Sequence, residues 1–233
     1  MKRSAHVGVA LTLLAAFALS IEMQAAKRIR GGETYKSKTK FFEVVVPRGC
    51  SPFLAPYEVQ EGNRKGDEFF EEAVFYMKDM GEVYHAGVRR LTPELRGKVS
   101  QEEGRLSAPQ LAWLGVFLHF GPREKSTGAW QPASGLEEVQ TKHGPGVLSA
   151  NSVEGGRFLT TMTIEDGKMV QQASAPASVV VLMVQKAEYL IYVTGQADGA
   201  AMLGTSSDAG CVQGRLREMI DSLTIVRPLP PAS

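Results

Sequence analysis

The chain has no excess of charge of either sign. Its 233 residues carry 26 Lys plus Arg against 25 Asp plus Glu, a formal net charge of +1. A nucleic-acid surface needs a basic surplus to neutralise phosphates, so nucleic acid is not an expected partner. Cysteine is scarce, with only Cys50 and Cys211. There is no Cys-x-x-Cys, and the histidines fall at no metal-ligand spacing, so no metal residue and no cofactor is assigned. The phosphate-binding pattern Gly-x-Gly-x-x-Gly is missing, and so is the nucleophile elbow Gly-x-Ser-x-Gly. No segment recurs at a fixed period, which excludes a solenoid or propeller.

What is present is enough to build a core. Hydrophobic residues make up 43% and charged residues 22%, a balance that folds. A chain of this length suits one domain. The expected organisation is a targeting segment over 1–26, a single globular domain over 33–227 and a proline-rich tail over 228–233.

The N-terminus supplies the targeting expectation. Lys2 and Arg3 precede Val7 to Ile21, which carries no charge, and Ala16-Phe17-Ala18 or Ala18-Leu19-Ser20 offers small residues for cleavage. A bilayer-spanning helix needs ~20 apolar residues, and this run is shorter. Lys27, Arg28 and Arg30 resist translocation and leave an uncleaved anchor as the alternative. Export to the periplasm or the cell exterior is expected, with membrane contact only through this segment. In such a compartment Cys50 and Cys211 can form a disulfide; otherwise they are two buried thiols acting as small hydrophobes.

Along the body, Phe41 to Val46 is aromatic and β-branched and stops at Pro47, which reads as a strand. Phe69–Lys78 and Glu82–Leu91 alternate with period two around Asp79-Met80-Gly81 and read as a hairpin. Two further hairpins are expected, Val147–Ser152 with Arg157–Glu165, and Val179–Gln185 with Glu188–Thr194. The apolar runs of the last pair suggest central strands. Ser107 before Pro109 signals a helix carrying Leu111, Leu114 and Leu118 to Gly121-Pro122. A second helix over about Cys211–Leu223 places Val212, Leu216, Met219, Ile220 and Leu223 on one face, with Asp208 as its cap. Lys27–Lys40 reads as a linker or an extended approach, Glu61–Asp67 as a loop, Thr92–Gly104 as mostly irregular and Leu136–Gln140 as a helical turn. Strands arriving in sequential pairs imply an α+β fold, an antiparallel sheet of hairpins with about two helices packed on it.

The string Tyr35…Phe42-Glu43-Val44-Val45-Val46-Pro47 resembles the opening strand of exported PsbP/Mog1-like domains. The ending is similar too, two long strands and then a helix closing on Ile220-Asp221-Ser222-Leu223-Thr224-Ile225. The resemblance covers the outer thirds of the body and departs over Thr92–Pro145. It implies a non-catalytic accessory or binding domain and carries over no catalytic residue.

The residues themselves agree with that implication. His85 falls on the strand face of Val83 and Arg89, His119 near a helix end where a backbone-bonded ring is expected, and His143 in a loop. Glu71-Glu72, Glu102-Glu103 and Glu137-Glu138 are neighbours and read as solvated charges, not a glycosidase dyad. Gly204-Thr205-Ser206-Ser207-Asp208 reads as a flexible loop. No catalytic residue is assigned. The expected function is that of an envelope binding or assembly-accessory domain, whose partner is an unidentified protein or small molecule. The alternative is a secreted hydrolase whose site assembles only in three dimensions, recognisable by a cleft joining His85 or His143 to a carboxylate and a serine.

Overall fold

The computed structural model describes residues 27–50, 55–77, 82–100, 104–120, 136–153, 162–165, 168–171, 177–197 and 209–230. The expected targeting segment lies outside them. In chain order the first elements are β1 (Lys27–Ile29), β2 (Thr34–Lys36), β3 (Phe42–Val45), β4 (Tyr57–Arg64), β5 (Phe70–Met77) and β6 (Glu82–Arg90). Two helices follow, α1 (Pro93–Gly97) and α2 (Ala108–Phe120). Then come β7 (Leu136–Thr141), β8 (Gly144–Val153), β9 (Met162–Glu165), β10 (Lys168–Gln171), β11 (Ala177–Lys186) and β12 (Tyr189–Ala197). The chain closes with α3 (Ala209–Ser222) and β13 (Thr224–Ile225).

The α+β expectation holds. One eight-stranded antiparallel sheet runs in the order β1-β4-β5-β6-β12-β11-β8-β7, and β13-β3-β2 form a small second sheet. The hairpin of β11 and β12 sits in the middle, turning at Ala187, whose φ is +51°. Val179 to Val184 and Leu190 to Val193 are at most 1% exposed. Unbroken apolar runs of this kind suit strands covered on both faces.

Each face has its own cover. On one side α3 buries Val212, Leu216, Met219, Ile220 and Leu223 against Val180, Leu182, Ile191 and Val193, together with Phe42 and Val44 of β3. On the other, α2 sets Leu111, Leu114 and Leu118 against Val179, Val181, Met183 and Leu190. Helix α2 starts with Gln110 Oε1 accepting from the Ser107 N–H (2.8 Å), the reciprocal half of a capping box. Gly115 lets it come close, since a Cβ there would stand 2.8 Å from Val181 Cβ.

Four expectations are corrected. Tyr57–Arg64 is strand β4, although only Tyr57 and Val59 point inward; pairing with β5 and β1 extends it past any apolar signal. Leu136–Thr141 is an edge strand, because the Thr141–Gly144 turn folds it onto β8. β8 pairs with β7 and β11, and Met162–Glu165, the described part of the expected arm Arg157–Glu165, pairs as β9 with β10 and not with Val147–Ser152. Thr92–Gly104 contains α1, begun by Pro93 and capped by Thr92 Oγ1 accepting from Leu95 N (3.2 Å). Of the two alternatives for Lys27–Lys40 the extended one holds: the stretch contributes β1 and β2, drawn in by their pairing with β4 and β3. The tail is held at Pro230, whose carbonyl accepts from Tyr189 Oη (2.6 Å).

Candidate functional site

The α2 face of the sheet is two surfaces side by side. Helix α2 lies over β12, β11, β8 and β7. The same face of β5 and β6 is half-buried at Phe70, Glu72, Val74, Tyr76, Val83 and Arg89. Cross-strand pairs define its rows, because directly opposed residues in antiparallel strands point the same way. Phe70 opposes Arg89, Glu72 opposes Gly87, Val74 opposes His85 and Tyr76 opposes Val83. On the far side of β6, Tyr192 opposes Gly87 and Thr194 opposes His85.

In the Gly87 row one side chain crosses a whole strand. Tyr192 lies over Gly87 and donates from Oη to Glu72 Oε2 (2.7 Å). A Cβ at Gly87 would stand 2.6 Å from that hydroxyl, so the crossing requires glycine. Burial, then the neighbouring Glu72 charge, keeps the Tyr192 hydroxyl protonated far above its usual range.

In the next row two histidines meet. His85 is 9% exposed and His119 4% exposed, with ring centroids 4.5 Å apart. His119 Nδ1 lies 2.7 Å from Thr194 Oγ1, and Nε2 lies 3.2 Å from Gln196 Oε1. An amide oxygen only accepts, so Nε2 carries the proton and the Thr194 hydroxyl donates to Nδ1. Burial lowers His119 to about 4. Burial, and then His119, holds His85 well below its ordinary value. Both rings are neutral near pH 7. The side chains of Thr194 and Gln196 engage the His119 ring because the end of α2 lands beside β12.

Around this pair the polar groups are unevenly satisfied. The His85 ring makes no hydrogen bond among the described residues. Arg89 makes no ion pair among them; its Nε is buried without a partner, and its guanidinium carbon stands 4.6 Å from the Phe70 ring centroid. Tyr76 Oη donates to Glu58 Oε2 (2.8 Å).

The other singled-out residues lie apart. His143 Nε2 donates to the Leu223 carbonyl (2.9 Å) and fastens the β7–β8 turn to the end of α3; burial lowers its pKa. The glutamate pairs divide. Glu71 is 3% exposed and Glu72 half-buried, which corrects the solvated reading: on a strand they face opposite layers, and Glu71 accepts from Thr39 N (3.1 Å). Glu137 is exposed and pairs with Arg217 at 2.7 Å. Glu102-Glu103, Gly204-Thr205-Ser206-Ser207 and the expected cap Asp208 lie outside the described residues.

Cys50 and Cys211 are bridged, with Cα atoms 6.0 Å apart across a sequence separation of 161. The bridge ties the turn after β3 to the first turn of α3. Around it, Cys50 N donates to Glu82 Oε1, and Cys50 Sγ lies 3.5 Å from Tyr84 Oη. Two surface grooves lie elsewhere. One of about 520 Å³ runs between Arg96, Arg105, Gln185 and Glu188, and one of about 280 Å³ between Val46, Arg48, Arg215 and Glu218. Among the described residues no histidine lines either.

The sequence left the disulfide open against two free thiols, set His85 on one strand face with Val83 and Arg89, and missed the joining of Glu72 to Tyr192. The available signal was Gly87, since glycine inside a strand marks a close approach.

No protein-family model matches the chain, and no curated protein matches it. A crystal structure of a protein from Bacteroides thetaiotaomicron VPI-5482 is similar at 12% identity and a TM-score of 0.35. The match covers 84% of this chain and 49% of that one, so the chain spans about half the length of the protein it resembles.

Proposed function

We propose that the chain is a non-catalytic binding domain of the cell envelope, and that its ligand docks on the half-buried face of β5 and β6 beside α2. One observation carries the reading. The two histidines are held neutral, with both nitrogens of His119 engaged by Thr194 and Gln196, while the adjoining face presents Phe70, Tyr76 and Arg89 half-buried. This is the composition of a recognition surface, apolar with a few placed polar groups. A base for hydrolysis needs an orienting carboxylate and a nucleophile in reach. Here His85 meets a second imidazole and His143 meets a backbone carbonyl.

Two further lines support it. The resemblance to PsbP/Mog1-like domains implies accessory or binding roles. The Cys50–Cys211 bridge fits an oxidising compartment, and with it the export that Lys2, Arg3 and the apolar Val7–Ile21 run imply.

The test sets binding against hydrolysis. The purified chain is treated with a fluorophosphonate serine-hydrolase probe and analysed by intact mass. No adduct is expected. A stoichiometric adduct on a serine that disappears in His85→Gln would transfer the protein to the hydrolase class. Fractionation of the producing cell should place the chain outside the cytoplasm, with both cysteines protected from alkylation until reduction.

A further inference from the structure

One stripe of α3 faces β3 and the turn that follows it. Cys211, Arg215, Glu218 and Ser222 recur every three or four residues, so they lie on one side of the helix. That side is tied down at both ends. Cys211 is bridged to Cys50, and Ser222 Oγ accepts from the Val45 N–H (3.0 Å). Between the two ties the smaller groove, of about 280 Å³, stays open. Arg215 and Glu218 form its α3 wall; Val45, Pro47 and Arg48 form the other, with Gly32 beside them. Burial alternates along β3, which turns Val44 inward and Val45 outward, 37% exposed.

Among the described residues lining this groove there are two arginines and one carboxylate. Arg215 Nη1 donates to both oxygens of Glu218 (3.1 and 3.0 Å), which neutralises that pair, while Arg215 Nη2 makes no hydrogen bond among the described residues. Arg48 is exposed and makes neither a hydrogen bond nor an ion pair among them. Its guanidinium lies against bare backbone, since a Cβ at Gly32 would stand 3.4 Å from Arg48 Nε, and the φ of +91° at Gly32 favours glycine there. Two guanidinium groups on the walls of so small a space repel each other, and Glu218 offsets only one. The charge left over is a planar fork that matches a carboxylate or phosphate. The volume equals that of about nine water molecules, room for a headgroup and a few carbons. We propose that this groove binds a small organic oxyanion: its carboxylate or phosphate bridges Arg48 and Nη2 of Arg215, and its short apolar body packs on Val45 and Pro47. The site lies away from the β5 and β6 face and goes beyond the reading given above, so the two stand or fall separately.

The experiment titrates the isotope-labelled full chain with three probes of one shape: 3-methylbutanoate, 2-methylpropyl phosphate and the neutral 3-methylbutanamide. Salt is kept at about 0.15 M, where distant surface charges are screened. The readouts are the methyl resonances of Val45 and the Nε–H resonances of Arg48 and Arg215. Saturable shifts with at least one oxyanion are expected, and the tighter of the two identifies the headgroup. The amide should bind at least about tenfold more weakly, and Arg48→Gln should weaken the oxyanion by a similar factor. Arg64→Gln removes an exposed charge on β4 and should leave the affinity as it is. No saturable shift from either oxyanion, an amide that binds equally well, or an Arg64→Gln effect as large as that of Arg48→Gln would overturn the site. A ligand-free measurement separates binding from folding. Arg48 is exposed and holds no partner, so Arg48→Gln should keep the wild-type Tm; a fall of more than about 3 °C would show that the guanidinium serves the fold and would sink the proposal.

Discussion

His119 shows how one residue carries a pH dependence. Its ring is buried, and its folded pKa is lowered to about 4 against an ordinary value near 6.5. Above pH 6.5 neither the folded nor the unfolded ring is protonated, and the stability is fully present. As pH falls from 6.5 towards 4 the unfolded chain gains a proton that the folded chain refuses, so stability is lost across that window. The span corresponds to roughly 3 kcal/mol, and His85 adds loss in the same direction. Urea unfolding at pH 7.5 and pH 4.5 should therefore show a larger drop for wild type than for His119→Gln, which keeps a neutral polar group. Equal drops would mean that the ring reaches water. Gly87 makes a second residue-scale case. Its Cβ would stand 2.6 Å from Tyr192 Oη, so Gly87→Ala must push Tyr192 off Glu72. A cost of roughly 1–3 kcal/mol is expected in the same unfolding assay, and an unchanged midpoint would refute the close crossing.

At the scale of elements, legibility followed from where each strand's stabilisation originates. β11 and β12 carry their own signal, because both faces are covered and every side chain must be apolar. Ile191 is fully buried there, opposite Val184 and Val88. Ile191→Asp would place a charge in that layer without a partner, at a cost that consumes most of a domain's ~5–15 kcal/mol. Circular dichroism should show no cooperative transition for the variant, and a wild-type Tm would disprove the assignment. β4 and β7 carry little such signal. β4 buries only Tyr57 and Val59, and β7 only Val139 and Thr141; hydrogen bonds to β5 and β8 hold them. A strand stabilised by its neighbour cannot be read from its own residues. The candidate site follows the same rule. Cys50 and Cys211 were legible because two cysteines admit one pairing. His85 and His119 were not legible as a pair: their meeting depends on β6 docking against β12, a strand about a hundred residues later, and on α2 ending over that seam.

That seam organises the whole molecule. Among the described residues the sheet is two antiparallel meanders, β4-β5-β6 and β12-β11-β8-β7, zipped together through β6 and β12. Helix α3 covers β12 and β11 and also packs against β3. Its start is bound by the disulfide, and its end is bound by β13 pairing with β3 and by the bond from His143 to Leu223. The second sheet and α3 therefore act as a clamp over the apolar face, and the bridge is its covalent part. A cross-link closing a loop of 161 residues removes denatured-state entropy worth up to about 5 kcal/mol in the chain-entropy model. For a domain of this size each kcal/mol moves Tm by ~2–4 °C, so opening the bridge should lower Tm by up to ~10–20 °C. Scanning fluorimetry on wild type with and without dithiothreitol, beside the double variant Cys50→Ser and Cys211→Ser, measures this directly. The variant should melt where reduced wild type does, and the reductant should leave the variant unmoved. Because α3 packs through Leu216, Met219 and Ile220 without help from the bridge, the variant should still fold at room temperature. If reduction leaves Tm unchanged, the noncovalent contacts already hold the clamp closed in the denatured chain's reference state, and the bridge contributes no closure entropy.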